Sequence, residues 1–564
     1  MINTKIFLLA VVALATIFYL WGLGRADIVT DESSYATRAI GLVDFDFGIE
    51  QPTPWQWVDE IPWWMRLSFH DHPPLVFWLQ HWSIRLFGEN PIAIRIPSAL
   101  AGIASVILLY FIGKRLYSPT VGALSALLFA VTTNHVWISR IGLQESILIA
   151  FILASTAAFL KGLERPRWLP LSGALLGFSF LVKYIALILI PIFLTILAVR
   201  HHSYLKNFYF LFSVFLFLIV ASPVIVYNIQ LARNFGHFDF QISLLLGQDV
   251  PAWQSRPGQE VLGSYANRIT NFIPWLVQSN SPYFLILAAL GLATILWRAL
   301  GRRFRENMPL VIIFLWLLPF LVFIGPAPRF LAILTPWLAL AAGYALAATG
   351  YSQILKNLRI AEGRAAAIIV LLIAAIEGLY AYNSVIALDP ISSKPWAYSH
   401  LRRQAHSWGF NELNAYLDET MIGKMPDPAI TFEFPFAQEI LKRARATGQA
   451  KGLEAVPWGI VYDGNINLSA QLWVFLRRIT YQGWPIADAE TFRRGGGQEF
   501  WQEAGVKTVL FIAATDRVLK DRPRLPSPDA DSMEAELRQR GEVPREIKNA
   551  RGEIAFRVYE FSLE

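Results

Sequence analysis

Cysteine is absent from all 564 residues. That excludes a disulfide framework, thiolate metal ligands and a cysteine nucleophile, and it leaves the compartment open. Charge is scarce too. Asp, Glu, Lys and Arg make up 16% of the chain, against about 25% in soluble domains. Hydrophobic residues reach 55% and mean hydropathy is +0.41. Little charge and long apolar runs describe a polytopic membrane protein. The formal net charge of +7 gathers in short loops between apolar runs, where the positive-inside rule places it, and is no nucleic-acid signal. The chain also lacks a convincing internal repeat and a phosphate loop; its RRGGGQ cluster has no strand-to-helix spacing of a dinucleotide site. The opening MINTKIFLLAVVALATIFYLWGLG has no small-residue cleavage signature and reads as a retained first helix.

A spanning helix needs about 20 apolar residues. Such runs begin near Ile6, Ile92, Val121, Ser146, Trp168, Ile185, Phe208, Tyr283, Pro309, Phe330 and Ala365, giving about eleven transmembrane helices. Basic residues at Lys114–Arg115, Lys161–Arg167, Arg200–Lys206, Arg298–Arg305 and Lys356–Arg364 fall in alternate loops. They set a cytoplasmic N-terminus, and place residues 24–91, 139–145 and 229–282 outside. Pro73–Phe87 is too short to span and reads as an interfacial helix. The transmembrane part is expected over 1–382, with a first outer loop at 24–91. Residues 383–564 are polar enough to be a soluble extracytoplasmic domain. There AITFEF, WGIVYDG, VKTVLFIAA and IAFRVYEF predict strands, and FAQEILKRARATG, LSAQLWVFLRRITYQG and GQEFWQEAG predict helices, hence an α/β layer domain.

The first outer loop holds two acidic clusters. Asp31 and Glu32 lie in TDESSYA, and His70, Asp71 and His72 in FHDHPPL. The plain reading of the first is a helix N-cap. The chemical reading is a general base for an acceptor hydroxyl, strengthened by a pKa that desolvation raises. Asp71 suits a helix start, but the flanking histidines ask for more: a divalent metal on Asp71 and His72, or a phosphate on protonated His72. His237 in FGHFDF is the candidate for a further metal ligand, against an ordinary surface histidine. Outward cations are fewer. Arg140 (with Glu145 in SRIGLQES), Lys183 and Arg329 each suit a snorkelling residue at a helix end. Taken with the acids, they suggest an anionic group, phosphate above all. Trp55, Trp57, Trp63 and Trp64 suit an interfacial belt or a stacking surface.

TDESSYATRA resembles the acidic first-loop motif of lipid-phosphate-dependent glycosyltransferases of the GT-C fold, and FHDHPPLVFWLQ resembles their second. RIPSALAGIASVILLYFIGKRLYSPTVGALSALLFA is similar to the helical pair that follows, and SRIGLQESILIAF to the second outer loop. The nearest families by pattern are the protein O-mannosyltransferases and the lipid A aminoarabinose transferases. The likeness covers roughly residues 5–200, with RFLAILTPWLALAAG as a late helix. It implies a GT-C-like helical membrane protein that moves a sugar from a polyprenyl phosphate to an acceptor hydroxyl at the outer face of the plasma membrane. The acceptor is a lipid, a glycan or a protein. By position, Asp31 is the implied base and Glu32 its support. Asp71 joins them as a catalytic residue and shapes the site with His72. Tyr35, His70 and Glu145 stand beside it, and His72, Arg140, Lys183 and Arg329 meet the phosphate. Glu145 stands where relatives often carry Asp, and His72 where they carry Lys. Relatives differ in metal use, so a divalent metal stays open. The rival readings are a transporter, which would carry midplane charges and repeats, and a non-catalytic receptor or scaffold.

Overall fold

The computed structural model describes residues 4–28, 31–45, 52–253, 263–301, 304–348, 362–399, 401, 407–466, 472–494, 497–519 and 527–563. The expected cytoplasmic cluster at 356–364 falls largely outside them. The N-terminal half is helical: α1 (Thr4–Leu20), α2 (Asp31–Gly41), α3 (Leu75–Phe87), α4 (Pro91–Leu116), α5 (Pro119–Val131), α6 (Thr133–Ser139), α7 (Glu145–Gly162), α8 (Leu169–Val182), α9 (Leu189–Arg200) and α10 (Phe208–Phe235). Helices Tyr265–Ser279, Pro282–Leu300, Phe304–Ile324, Thr335–Ala348 and Glu362–Ala381 follow.

Seven helices among the described residues are long and apolar enough to cross a membrane, and the α5–α6 pair, bent by 64°, would make an eighth. Two shorter apolar helices, Lys5–Leu20 and Tyr184–Arg200, accompany them. The apolar runs expected from Trp168 and Ile185 emerge as helices of 14 and 12 residues, because the chain goes extended at Lys183. Cap chemistry sets the starts. Asn90 accepts from the Ala93 N–H ahead of Pro91, and Ser118 from the Val121 N–H ahead of Pro119, each satisfying a donor a helix start leaves open. Small residues let the spans approach closely. A Cβ added to Gly113 would come within 2.8 Å of the Gly122 Cα.

α3 has 13 residues, too few to span. It buries Val76, Phe77, Gln80 and Ile84 and exposes Trp82, Leu86 and Phe87.

Beyond Ala381 a turn at Tyr382–Ile386 leads into a mixed domain. Its main sheet has the order β4-β3-β5-β7-β6, from β3 (Trp458–Tyr462), β4 (Ile486–Asp488), β5 (Thr508–Ala514), β6 (Arg545–Lys548) and β7 (Ile554–Ser562). β3 is parallel to β4 and β5; β7 is antiparallel to β5 and β6. A parallel pair, β1 (Lys424–Pro426) and β2 (Glu454–Val456), lies apart. AITFEF forms no strand. Its aromatics pack outward instead. Phe434 lies 6.1 Å from Phe45 of the first loop, and Pro435 starts helix Pro435–Ala450.

Candidate functional site

α2 organises the site. Asp31, Tyr35 and Arg38 fall at i, i+4 and i+7, on one helix face. The FHDHPP turn lies across that face. Asp71 sits 2.6 Å from Arg38 Nη1 and 2.9 Å from His72 Nδ1. His72 Nε2 is 2.9 Å from the Tyr35 hydroxyl. His70 is fully buried, with Nδ1 2.9 Å from Asp44 and 3.7 Å from Asp71. The His70 N–H donates to the second Asp44 oxygen at 2.9 Å. At the head of α2, half-exposed Asp31 pairs with Arg329, which opens the short helix Pro328–Leu331. Two cations lie against the Phe330 ring, the Arg329 guanidinium at 5.2 Å and the Lys183 ammonium at 4.6 Å from its centroid. Lys183 donates to buried Glu145 at 2.6 Å. Asp31, Tyr35, His70, Asp71, His72, Glu145, Lys183 and Arg329 therefore form one connected cluster drawn from five segments.

Charges in the cluster fix the carboxylates. Burial opposes ionisation of Asp31, but Arg329, His72 and Lys183 outweigh it and hold the group below its ordinary value. The desolvation-raised Asp31 expected from the sequence is thus overturned by its cations. Burial also opposes Asp71, and Arg38, His72 and His70 hold it well below the usual carboxylate range. His70 is shifted the other way. Burial disfavours its charge, yet Asp71 and Asp44 raise its pKa.

Three expected residues are engaged elsewhere. Glu32 is fully buried and turned from the cluster. Arg95 Nε and Nη2 each donate to it at 2.7 Å, and the Gly142 N–H donates at 2.6 Å. Arg140 donates to the carbonyls of Phe18 at 2.7 Å and Gly22 at 3.2 Å. It caps the end of α1, as a cation at a helix C-terminus does. His237 packs edge-on against Trp57 and Trp253, with Nδ1 2.7 Å from the Phe238 carbonyl. No three His, Asp or Glu side chains among the described residues converge as metal ligands, and Arg38 and His72 already occupy the Asp71 oxygens. The donor set therefore does not fit a divalent ion here. Arg38 and Asp44 belong to the site although neither is among the residues expected from the sequence. The i+7 spacing of Arg38 from Asp31 was a usable signal; Asp44 carries none.

Residues 71–227 match the family model described as dolichyl-phosphate-mannose-protein mannosyltransferase. YycA of Bacillus subtilis, provisionally named a mannosyltransferase, is 31% identical over 140 residues, 24% of this chain and 20% of YycA. The match thus spans about a fifth of that relative's length. The crystal structure of ArnT from Cupriavidus metallidurans bound to undecaprenyl phosphate superposes over 99% of this chain and 98% of its own, with a TM-score of 0.53 at 16% identity. AglB from Archaeoglobus fulgidus, an archaeal oligosaccharyltransferase in complex with an inhibitory peptide and a dolichol-phosphate, covers 91% and 70%, with a TM-score of 0.50 at 13% identity. The chain is a multi-pass membrane protein with the GT-C glycosyltransferase fold, and its stretch from Asp71 to Tyr227 resembles the dolichyl-phosphate-mannose-protein mannosyltransferases.

Proposed function

We propose that this protein transfers a sugar from a polyprenyl-phosphate donor to an acceptor hydroxyl at the outer face of the plasma membrane. The N-terminus is cytoplasmic, and residues 383–564 form an extracytoplasmic domain beside the transmembrane part, 1–382. The observation that carries this reading is the half-exposed Asp31 set against Arg329 and Lys183. The acceptor oxygen attacks the anomeric carbon, its proton passes to Asp31, and the bond from that carbon to the phosphate oxygen breaks. The lipid phosphate leaves with its charge met by Arg329, Lys183 and His72. A phosphate beside Arg329 competes with Asp31 for the guanidinium. Asp31 then becomes more basic when the donor is bound. Tyr35 and Asp71 fix the His72 ring between them. The lipid phosphates bound to the two fold neighbours, undecaprenyl phosphate and a dolichol-phosphate, are of the class that this step would release. The acceptor is a lipid, glycan or protein hydroxyl.

The test incubates purified protein with a panel of polyprenyl-phosphate sugars and follows hydrolysis and transfer by mass spectrometry. Wild type consumes one donor class, and a folded Asp31→Asn variant loses at least about 100-fold in turnover, the lower range for removing a general base. Full turnover by that variant removes Asp31 from the role.

A further inference from the structure

A polar cavity lies where the first loop meets the C-terminal domain. Its volume is about 560 Å³, and Ile40, Arg85, Glu89, Asp418, Arg477 and Gln482 line it. Ile40 is nine residues along α2 from Asp31, roughly 13 Å of helix away. The cavity is therefore separate from the reaction cluster. Its depth in the membrane follows from the chain. Glu89 is two residues before the long apolar span α4, and Arg85 lies in the last turn of α3. Trp82, Leu86 and Phe87 on α3 are more than half exposed. Apolar side chains beside the start of a span belong in the bilayer boundary. The cavity opens at the headgroup layer.

Its charges are arranged for a zwitterion. Arg477 is 2% exposed, and donates to Glu89 at 2.5 Å and to Asp418 at 2.8 and 3.0 Å. Arg478 donates to Asp418 at 2.7 Å. These bonds use both Asp418 oxygens and only one of Glu89. Arg85 is exposed and makes no ion pair among the described residues. One unshared guanidinium and one unshared carboxylate oxygen thus face the same space. We propose that this cavity binds the headgroup of a bilayer phospholipid carrying a phosphate and a primary ammonium, the phosphate on Arg85 and the ammonium on Glu89. Arg477 is the buried anchor that holds Glu89 in place. The volume is in the ordinary range for a small-ligand site. The proposal does not depend on sugar transfer.

The experiment reconstitutes the full chain in nanodiscs of equimolar phosphatidylethanolamine and phosphatidylglycerol, then releases it for native mass spectrometry. Wild type is expected to retain one phosphatidylethanolamine in preference to phosphatidylglycerol. Arg85→Gln, a change at an exposed side chain, lowers retention of that lipid by at least about tenfold, the loss of a charge-assisted phosphate contact. Glu89→Gln keeps an oxygen for Arg477 and removes the charge facing the ammonium, so it abolishes the preference between the lipids. Equal retention of the two lipids by wild type overturns the proposal, as does wild-type retention of phosphatidylethanolamine by Arg85→Gln.

Discussion

Glu32 receives two bonds from Arg95 and one from the Gly142 N–H, in a place with no exposure. Its neighbour Asp31 is half exposed and makes its direct ion pair with Arg329. Removing one partner of a buried pair costs about 3–5 kcal/mol, whereas an exposed pair contributes about 0–1 kcal/mol. Glu32→Gln is therefore expected to lower thermal stability sharply, and Asp31→Asn to leave it near wild type while turnover falls. Thermal shift and turnover on the same preparations separate the two; equal melting temperatures for both variants contradict the assignment. Asp71 adds a pH signature. A carboxyl whose folded pKa lies below its unfolded value, about 3.9, stabilises the fold above that pH and loses the contribution as pH falls through the folded value. Asp71 is held well below by Arg38, His72 and His70 against its burial. The melting-temperature gap between wild type and Asp71→Asn is expected to persist from neutral pH to about 5 and to close below about 4. A gap that stays constant down to pH 3 refutes it.

The turn between α6 and α7 shows how elements, more than single side chains, hold the first loop. A Cβ on Gly142 would lie 2.6 Å from Ile94 Cγ2 and 3.0 Å from both Gln80 Nε2 and Glu32 Oε1. Gly142→Ala must push α2, α3 and α4 apart, so a loss of about 1–3 kcal/mol is expected, in line with overpacking. Urea or thermal unfolding measures it, and an unchanged midpoint would show that the turn yields. None of this crowding is readable from SRIGLQES. What was legible were patterns local in the chain: long apolar runs, the short α3, and three of the strands, WGIVYDG, VKTVLFIAA and IAFRVYEF. AITFEF alternates like a strand, yet its Phe434 is taken by Phe45, 389 residues away in the chain, and Phe436 just beyond it packs on Trp55. Arg140 looked like a phosphate ligand because a cation after a helix reads the same whether it meets a substrate or caps another helix. Arg329 and Asp31 stand 298 residues apart, and only the fold brings them together.

At the scale of the molecule, the C-terminal domain is fastened to the loop that carries Asp31. Asp27 accepts from the N–H groups of Trp408 at 2.6 Å, Gly409 at 3.2 Å and Asn411 at 2.9 Å, at the start of helix Phe410–Thr420. The Asn411 amide donates to the Ala26 carbonyl at 2.8 Å, and the Tyr481 hydroxyl to the Thr37 carbonyl on α2 at 2.8 Å. Burial lifts Asp27 to about 6 despite its backbone donors. Burial, then the Asp27 charge, lifts Glu412 to about 7. Carboxyls with raised pKa values bind protons in the docked state that they would release when undocked. Their contribution to docking is complete below the ordinary carboxylate pKa and falls as pH rises to about 6 and 7. The joint should therefore be tighter at pH 5 than at pH 7.5. Hydrogen exchange over residues 407–420, corrected for intrinsic rate, is expected to show greater opening at pH 7.5. Glu412→Gln removes one titrating group and its repulsion with Asp27, so its opening should change less with pH and be smaller than wild type at pH 7.5. Equal protection at both pH values in wild type, or an unchanged slope in the variant, would mean that these two carboxyls do not govern the joint.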